Sequence, residues 1–216
     1  MLQEYKTILN IATAEFEEKK SRFIANVKPV SNEEEAIEFI NSLKSKYWDA
    51  RHNVYAYIIN KDTLIQRFSD DGEPSGTAGM PTLEVIKRIG LQDVVVVVTR
   101  YFGGTLLGAS GLIRAYSKST ALGLEAAEIV TRKLCTRISI AVEYTLFGRL
   151  QNMLIANNNI IEDIQYSQDV DLSVLIEVGN EEKLLKDITE NTNDRAIVDI
   201  GEKVYITLDS DGRLII

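Results

Sequence analysis

The spacing of apolar residues changes several times along the chain, and each change predicts a new element. The run KTILNIATAEFEEKKSRFIANVKPV (6–30) alternates around a charged centre, which predicts two strands joined by a tight turn near residues 17–21. Ser31 with Glu34 has the form of a capping box, and Ala36, Ile37, Phe39, Ile40, Leu43 and Tyr47 then recur at helical spacing. NVYAYII (53–59) and TLIQRF (63–68) read as strands meeting across a turn at 60–62. Pro81 stands where a helix begins, ahead of Leu83, Val85, Ile86 and Ile89, and Gly90 ends it. Five consecutive valines at 94–98 are apolar on both faces and fit a strand covered on both sides. A long helix follows RYFGGTLLGASG (100–111) and runs to about Ile129.

After Arg132 and Lys133 the pattern restarts. TRISIAVEY reads as a strand, TLFGRLQNMLIANN as a helix, IIEDIQYS and VDLSVLIEV as a hairpin, EEKLLKDITENT as a helix and AIVDIGEKVYITL as a last strand. This βαββαβ order in about 80 residues predicts a ferredoxin-like, split-βαβ domain. The expected division is therefore 1–133 and 134–216, within an α+β protein.

Composition narrows the functional classes. A chain of 216 residues that is 45% hydrophobic can bury one large core or two modest ones. No stretch has the length of a transmembrane helix, and MLQEYKTILN lacks the pattern of a secretion signal, so a soluble cytoplasmic protein with no membrane partner is expected. Cys135 is the only cysteine and His52 the only histidine, which excludes a disulfide framework, a Cys-rich zinc site and multi-histidine metal centres within one chain. The net charge of −8 is unevenly spread: 17 Lys and Arg against 17 Asp and Glu in 1–134, but 7 against 15 in 135–216. Binding to nucleic acid relies on cations that displace counterions from phosphates, so the C-terminal part is too acidic for direct contact.

The chemistry concentrates in the centre. Eight of the 13 glycines and two of the three prolines lie between residues 70 and 111. DDGEPSGTAG (70–79) and the later YFGGTLLGASG each lead into a helix, and helix N-termini present unpaired N–H groups to anions. The candidate anion-binding residues are Gly76, Thr77, Gly79, Arg100, Tyr101, Gly103, Gly104, Gly108 and Arg114. Asp70, Asp71 and Glu73 could hold a divalent cation or serve as acid or base, or could simply form a turn. His52 reads either as a packing residue or as a base. Cys135 reads as a buried small hydrophobe. The loops themselves could also exist only for tight turns and close helix packing. Neither a P-loop nor a Rossmann fingerprint is present, and no triad or metal site of a peptidase can be assembled.

DGEPSGTAGMP, followed about twenty residues later by VVVVVTRYFGGTLLGASGLIRAY and preceded by ARHNVYAYI, resembles the signature of the IMPACT family, in particular its bacterial two-domain YigZ-type branch. The resemblance covers about residues 1–130 and implies a two-layer βαβα domain of the ribosomal-protein and elongation-factor type. The acidic remainder is similar to the small domain that follows in bacterial members, like the last domain of elongation factor G. Eukaryotic members regulate translation initiation by binding a partner that activates a stress kinase. The resemblance thus implies a non-catalytic binding or regulatory protein, with the translation machinery, a regulatory protein or RNA as partner and no cofactor. The alternative reading is an enzyme acting on a small phosphorylated substrate with a divalent metal.

Overall fold

A computed structural model describes residues 2–60 and 63–215. Two compact units form, built mainly from Tyr5–Thr131 and Arg132–Thr207.

In the first unit the strands are β1 (Glu4–Ile8), β2 (Ala12–Glu18), β3 (Ser21–Pro29), β4 (His52–Asn60), β5 (Leu64–Ser69) and β6 (Val94–Tyr101). The helices are α1 (Glu33–Lys46), α2 (Gly79–Ile89) and α3 (Ala109–Glu125). The sheet runs β2-β3-β6-β4-β5 with antiparallel pairing throughout. The valine strand lies at its centre, and its side chains separate by parity as a pleated strand requires. Val94, Val96 and Val98 pack with Ala25, Val27 and Val54 beneath α2 and α3. Val95 and Val97 pack on the other face with Ile40 and Leu43 of α1. Burying each such side chain contributes roughly 1.5–3 kcal/mol, so this strand anchors both cores. The α1 helix adds a third layer over one face, beyond the two layers that the resemblance implies.

Long-range hydrogen bonds account for the local departures from the expected elements. The first expected strand is two, β1 and β2, because the Leu9 and Asn10 amides leave the ladder to bond the Glu128 and Ala127 carbonyls. The same bonds stop α3 at Glu125 rather than near Ile129, with Glu128 at φ 59°. The turn after β2 uses Lys19 and Lys20 at φ 48° and 64°, the pair of positive angles that a type I′ hairpin needs. The helix cap sits one residue later than Ser31 and Glu34 suggest. Asn32 Oδ1 accepts from the Glu35 amide, and Glu35 accepts in turn from the Ser31 amide. Of the expected 60–62 turn, Lys61 and Asp62 lie outside the described residues. Gly90 ends α2 at φ 80°.

The second unit follows the βαββαβ order with β7 (Ile129–Val142), α4 (Tyr144–Ala156), β8 (Ile160–Tyr166), β9 (Val170–Glu177), α5 (Glu181–Thr192) and β10 (Ile197–Leu208), followed by the short β11 (Leu214–Ile215). The sheet order β10-β7-β9-β8 is that of a ferredoxin-like fold. Its core joins Ile138, Ile140, Leu172 and Val174 to Leu150 and Leu154 of α4 and Leu184 and Ile188 of α5. Tyr144 begins α4 instead of ending the preceding strand. Cys135 is buried, and burial raises its thiol above the usual range. Among the described residues no helix is long and apolar enough to cross a membrane.

Candidate functional site

The three carboxylates of DDGEPSGTAG have three separate partners. Asp70 folds back onto the start of α2: Oδ2 accepts from the Gly76 amide at 2.9 Å, and Oδ1 accepts from the Ala78 and Gly79 amides at 3.0 and 2.8 Å. The N-terminus of α2 thus receives an internal carboxylate. This corrects the expectation for Gly76 and Gly79, whose amides are committed to Asp70. Thr77 is buried and its hydroxyl donates to the Pro74 carbonyl at 2.7 Å. Asp71 accepts from Lys44 Nζ at 2.9 Å and from the Asn53 amide at 2.7 Å, which fastens the loop to the start of β4. Its own carbonyl lies 2.9 Å from His52 Nδ1. A carbonyl can only accept, so Nδ1 is the donor in this bond.

Glu73 is the third. It enters the core, where Oε1 accepts from Arg100 Nη1 at 2.7 Å and from the Tyr116 hydroxyl at 2.9 Å. The side chains of Arg100 and Glu73 are only 7% and 3% exposed. His52 Nε2 stands 4.0 Å from the same oxygen. The Arg100 guanidinium lies between the Phe23 and Phe102 rings, 5.5 and 5.7 Å from their centroids, and its Nη2 donates to Ser21 Oγ at 3.3 Å. Burial, reinforced by the Glu73 charge, pushes the Tyr116 hydroxyl far above the phenol range and keeps it a donor. Because the carboxylates point to different partners they cannot converge on one cation, which corrects the metal reading of Asp70, Asp71 and Glu73. Among the described residues no three His, Cys, Asp or Glu side chains are placed to hold a metal ion.

The two glycine-rich loops do meet. Gly72, Glu73 and Pro74 of the first and Phe102, Leu106, Leu107 and Gly108 of the second line one cavity of about 430 Å³, together with Arg51, His52 and Arg100. Ala109 and Leu112 of α3 complete its wall. The helix begins behind Gly108, at φ 72°, a residue that has no side chain to cap it. On the rim Phe102 and Leu106 are 49% and 83% exposed.

The other expected residues fall elsewhere. Arg100 is committed to Glu73 and is not free to meet an external anion. Tyr101 follows it in β6, faces the other side of the sheet and donates to Asp49 at 2.7 Å. Gly103 is present for close approach: its amide donates to Ser21 Oγ at 3.2 Å, and a Cβ there would lie 2.0 Å from the Lys20 backbone. Gly104 makes a turn at φ 83°. Arg114 lines a different groove of about 370 Å³ with Phe16, Lys19 and Lys118. The sequence reading did not single out Arg51, Phe102, Leu106, Leu112 or Tyr116 as site residues, although the runs ARHNVYAYI and VVVVVTRYFGGTLLGASGLIRAY, which carry the resemblance, contain all five.

Comparison with known proteins decides the relationship. A family model described as the Impact N-terminal domain matches residues 19–124, and a domain of unknown function, DUF1949, matches residues 140–195. IMPACT family member YvyE of Bacillus subtilis is 42% identical over 206 residues, covering 95% of each chain. The chain belongs to the IMPACT family. IMPACT family member YigZ of Escherichia coli is 35% identical over 63% of this chain and 68% of its own. A solved structure described as that of a hypothetical protein superposes with a TM-score of 0.60 at 27% identity, covering 94% of this chain and 98% of that one. The glycine-rich loops and the cavity they enclose fall inside the segment matched by the Impact N-terminal model.

Proposed function

We propose that this IMPACT family protein is a non-catalytic binding and regulatory module, linked to translation or its stress control, that meets its partner in the cytoplasm through the glycine-rich centre. The observation that carries the reading is the cavity that both loops wall, with Phe102 and Leu106 exposed on its rim. Exposed aromatic and aliphatic side chains beside a hollow are the usual anchors of an interface. The link to translation rests on the family, whose eukaryotic members act on translation initiation through a partner. An enzyme using a divalent metal is poorly supported, because the acidic residues serve the fold. The test is co-sedimentation with ribosomes and capture of associated proteins at low salt. A Leu106→Ser variant, at a position 83% exposed, should reduce association about tenfold while unfolding as the parent does; unchanged association would refute the reading.

RNA contact belongs to the neighbouring groove in this proposal. Lys19, Arg114 and Lys118 line it, with Lys118 Nζ 4.8 Å from the Phe16 ring centroid. The acidic C-terminal unit takes no part. Replacing Arg114 and Lys118 together by alanine should weaken RNA binding across sequences and lower the slope of log affinity against log salt by roughly two. Fluorescence anisotropy across a salt series measures this, and an unchanged slope would exclude the groove.

A further inference from the structure

We propose that β5 (Leu64–Ser69) is a pairing edge on which a second copy of this chain docks, strand against strand, about a two-fold axis at Gln66. An unpaired strand edge invites association, and natural sheets blunt their edges with charge, bulges or short strands. Here β2 carries Glu15, Glu17 and Glu18, β8 carries Glu162 and Asp163 beside a bulge, and β11 has only two residues. At the opposite edge of the first sheet from β2, β5 has none of these. Among the described residues it pairs with β4 alone, in unbroken register, and its sequence LIQRFS holds no acid, proline or glycine. Leu64 and Phe68 are 54% and 40% exposed along it. Its one charge, Arg67, already lies 3.9 Å from Glu33 Oε1.

The occupant follows from the register. The Asn60 amide turns toward β6, where it donates to Asp93 Oδ1 at 2.8 Å, so by the alternation of an antiparallel ladder Ile58 also bonds toward β6. Ile58 stands opposite Gln66, and Gln66 therefore bonds outward; its carbonyl accepts from the Arg67 side chain at 3.3 Å. By the same alternation Leu64 and Phe68 bond outward too. These three residues are complementary to themselves. With Gln66 opposite Gln66 of the second copy, Leu64 meets Phe68 and Phe68 meets Leu64, and each outward N–H and C=O finds a partner. The side chains agree with the backbone. Phe68 lies on the α2 side of the sheet, where a Cβ on Gly79 would come 3.0 Å from its ring, and Leu64 shares that side, so the apolar pairs fall on one face. On the other face Arg67 meets Ile65 and not a second arginine, so no like charges stand directly opposed. Such a short edge buries less than the roughly 800 Å² per partner of a standard interface, and the dimer is therefore reversible. No residue of β5 lines the cavity, so this contact is separate from the partner surface above.

Sedimentation velocity of the full chain from about 1 to 300 µM tests the association, and a monomer–dimer equilibrium with a dissociation constant on the order of 10–100 µM is expected. A Leu64→Lys, Phe68→Lys variant should dimerise at least about tenfold more weakly than the parent, because like charges then face each other across the axis. A Leu64→Lys, Phe68→Glu variant loses the same apolar pairs but sets opposite charges across the axis, so at low salt it should dimerise about tenfold more tightly than the first. Thermal unfolding establishes that both variants fold. The register has its own test. Residues opposite one another at a hydrogen-bonded site have Cα atoms about 5.5 Å apart, within disulfide reach, so Gln66→Cys should cross-link to a dimer under mild oxidation. Native Cys135 is buried, and Gln165→Cys on the β8 edge should stay monomeric as the control. A chain that remains monomeric at the top of the concentration range would overturn the proposal. So would equal dimerisation of the two double variants, or cross-linking at residue 165 and not at 66. If either double variant fails to fold, the cross-link decides alone.

Discussion

Replacing Arg100 by alanine should lower the free energy of unfolding by about 3–5 kcal/mol, because it strands a buried carboxylate. Glu73 would keep the Tyr116 hydroxyl at 2.9 Å and lose the guanidinium at 2.7 Å. The ring pair Phe23 and Phe102 would lose the flat cation between them, and Ser21 would lose one of its two donors. Urea unfolding followed by circular dichroism measures the change, and an unaltered denaturant slope would assign it to stability and not to the unfolded ensemble. The pair itself need not stabilise the fold. An Arg100→Met, Glu73→Gln double variant removes both charges together and should recover most of the loss. A single-variant loss below about 1 kcal/mol would mean that water or rearrangement reaches Glu73, and the description of a sealed ion cluster would be wrong.

That result bears on how much of this molecule can be read from its sequence. Period sufficed wherever a segment was decided by its own burial, as in the valine strand, whose odd and even residues serve two cores. It failed where a distant group decided. Nothing local to Leu9 announces that its amide will bond Glu128, and nothing local to Ile129 announces that the helix must stop before it. The site divides the same way. Glycine and proline density marked the loops, and the loops do share one hollow, but Arg100 and Glu73 are 27 residues apart and only the fold pairs them. In a helix, residues 111, 114, 115 and 118 share a face and 108, 109 and 112 another, so Arg114 was never placed to face the cavity with Leu112.

The decapeptide's first residue offers the other large effect. Asp70→Ala should cost about 2–4 kcal/mol, since it removes a charged cap that serves three amides, more than an ordinary N-cap supplies. Asp70→Asn should fall between, because one amide oxygen can still accept from Ala78 and Gly79 while its NH₂ opposes the Gly76 donor. The alanine variant also tests why the residue is acidic. Its vacated amides form an anion site at the start of an 11-residue helix, so sulfate should raise its melting temperature more than that of the parent. Sulfate stabilises most proteins by exclusion from their surface, and the informative quantity is therefore the difference between the two at equal concentration. If the difference is absent, Asp70 acts through turn geometry and not through its charge. If it is present, the anion preference read from the glycine-rich segment is correct in kind, and the protein itself answers it at α2 while leaving the α3 terminus beside the cavity without a side-chain cap.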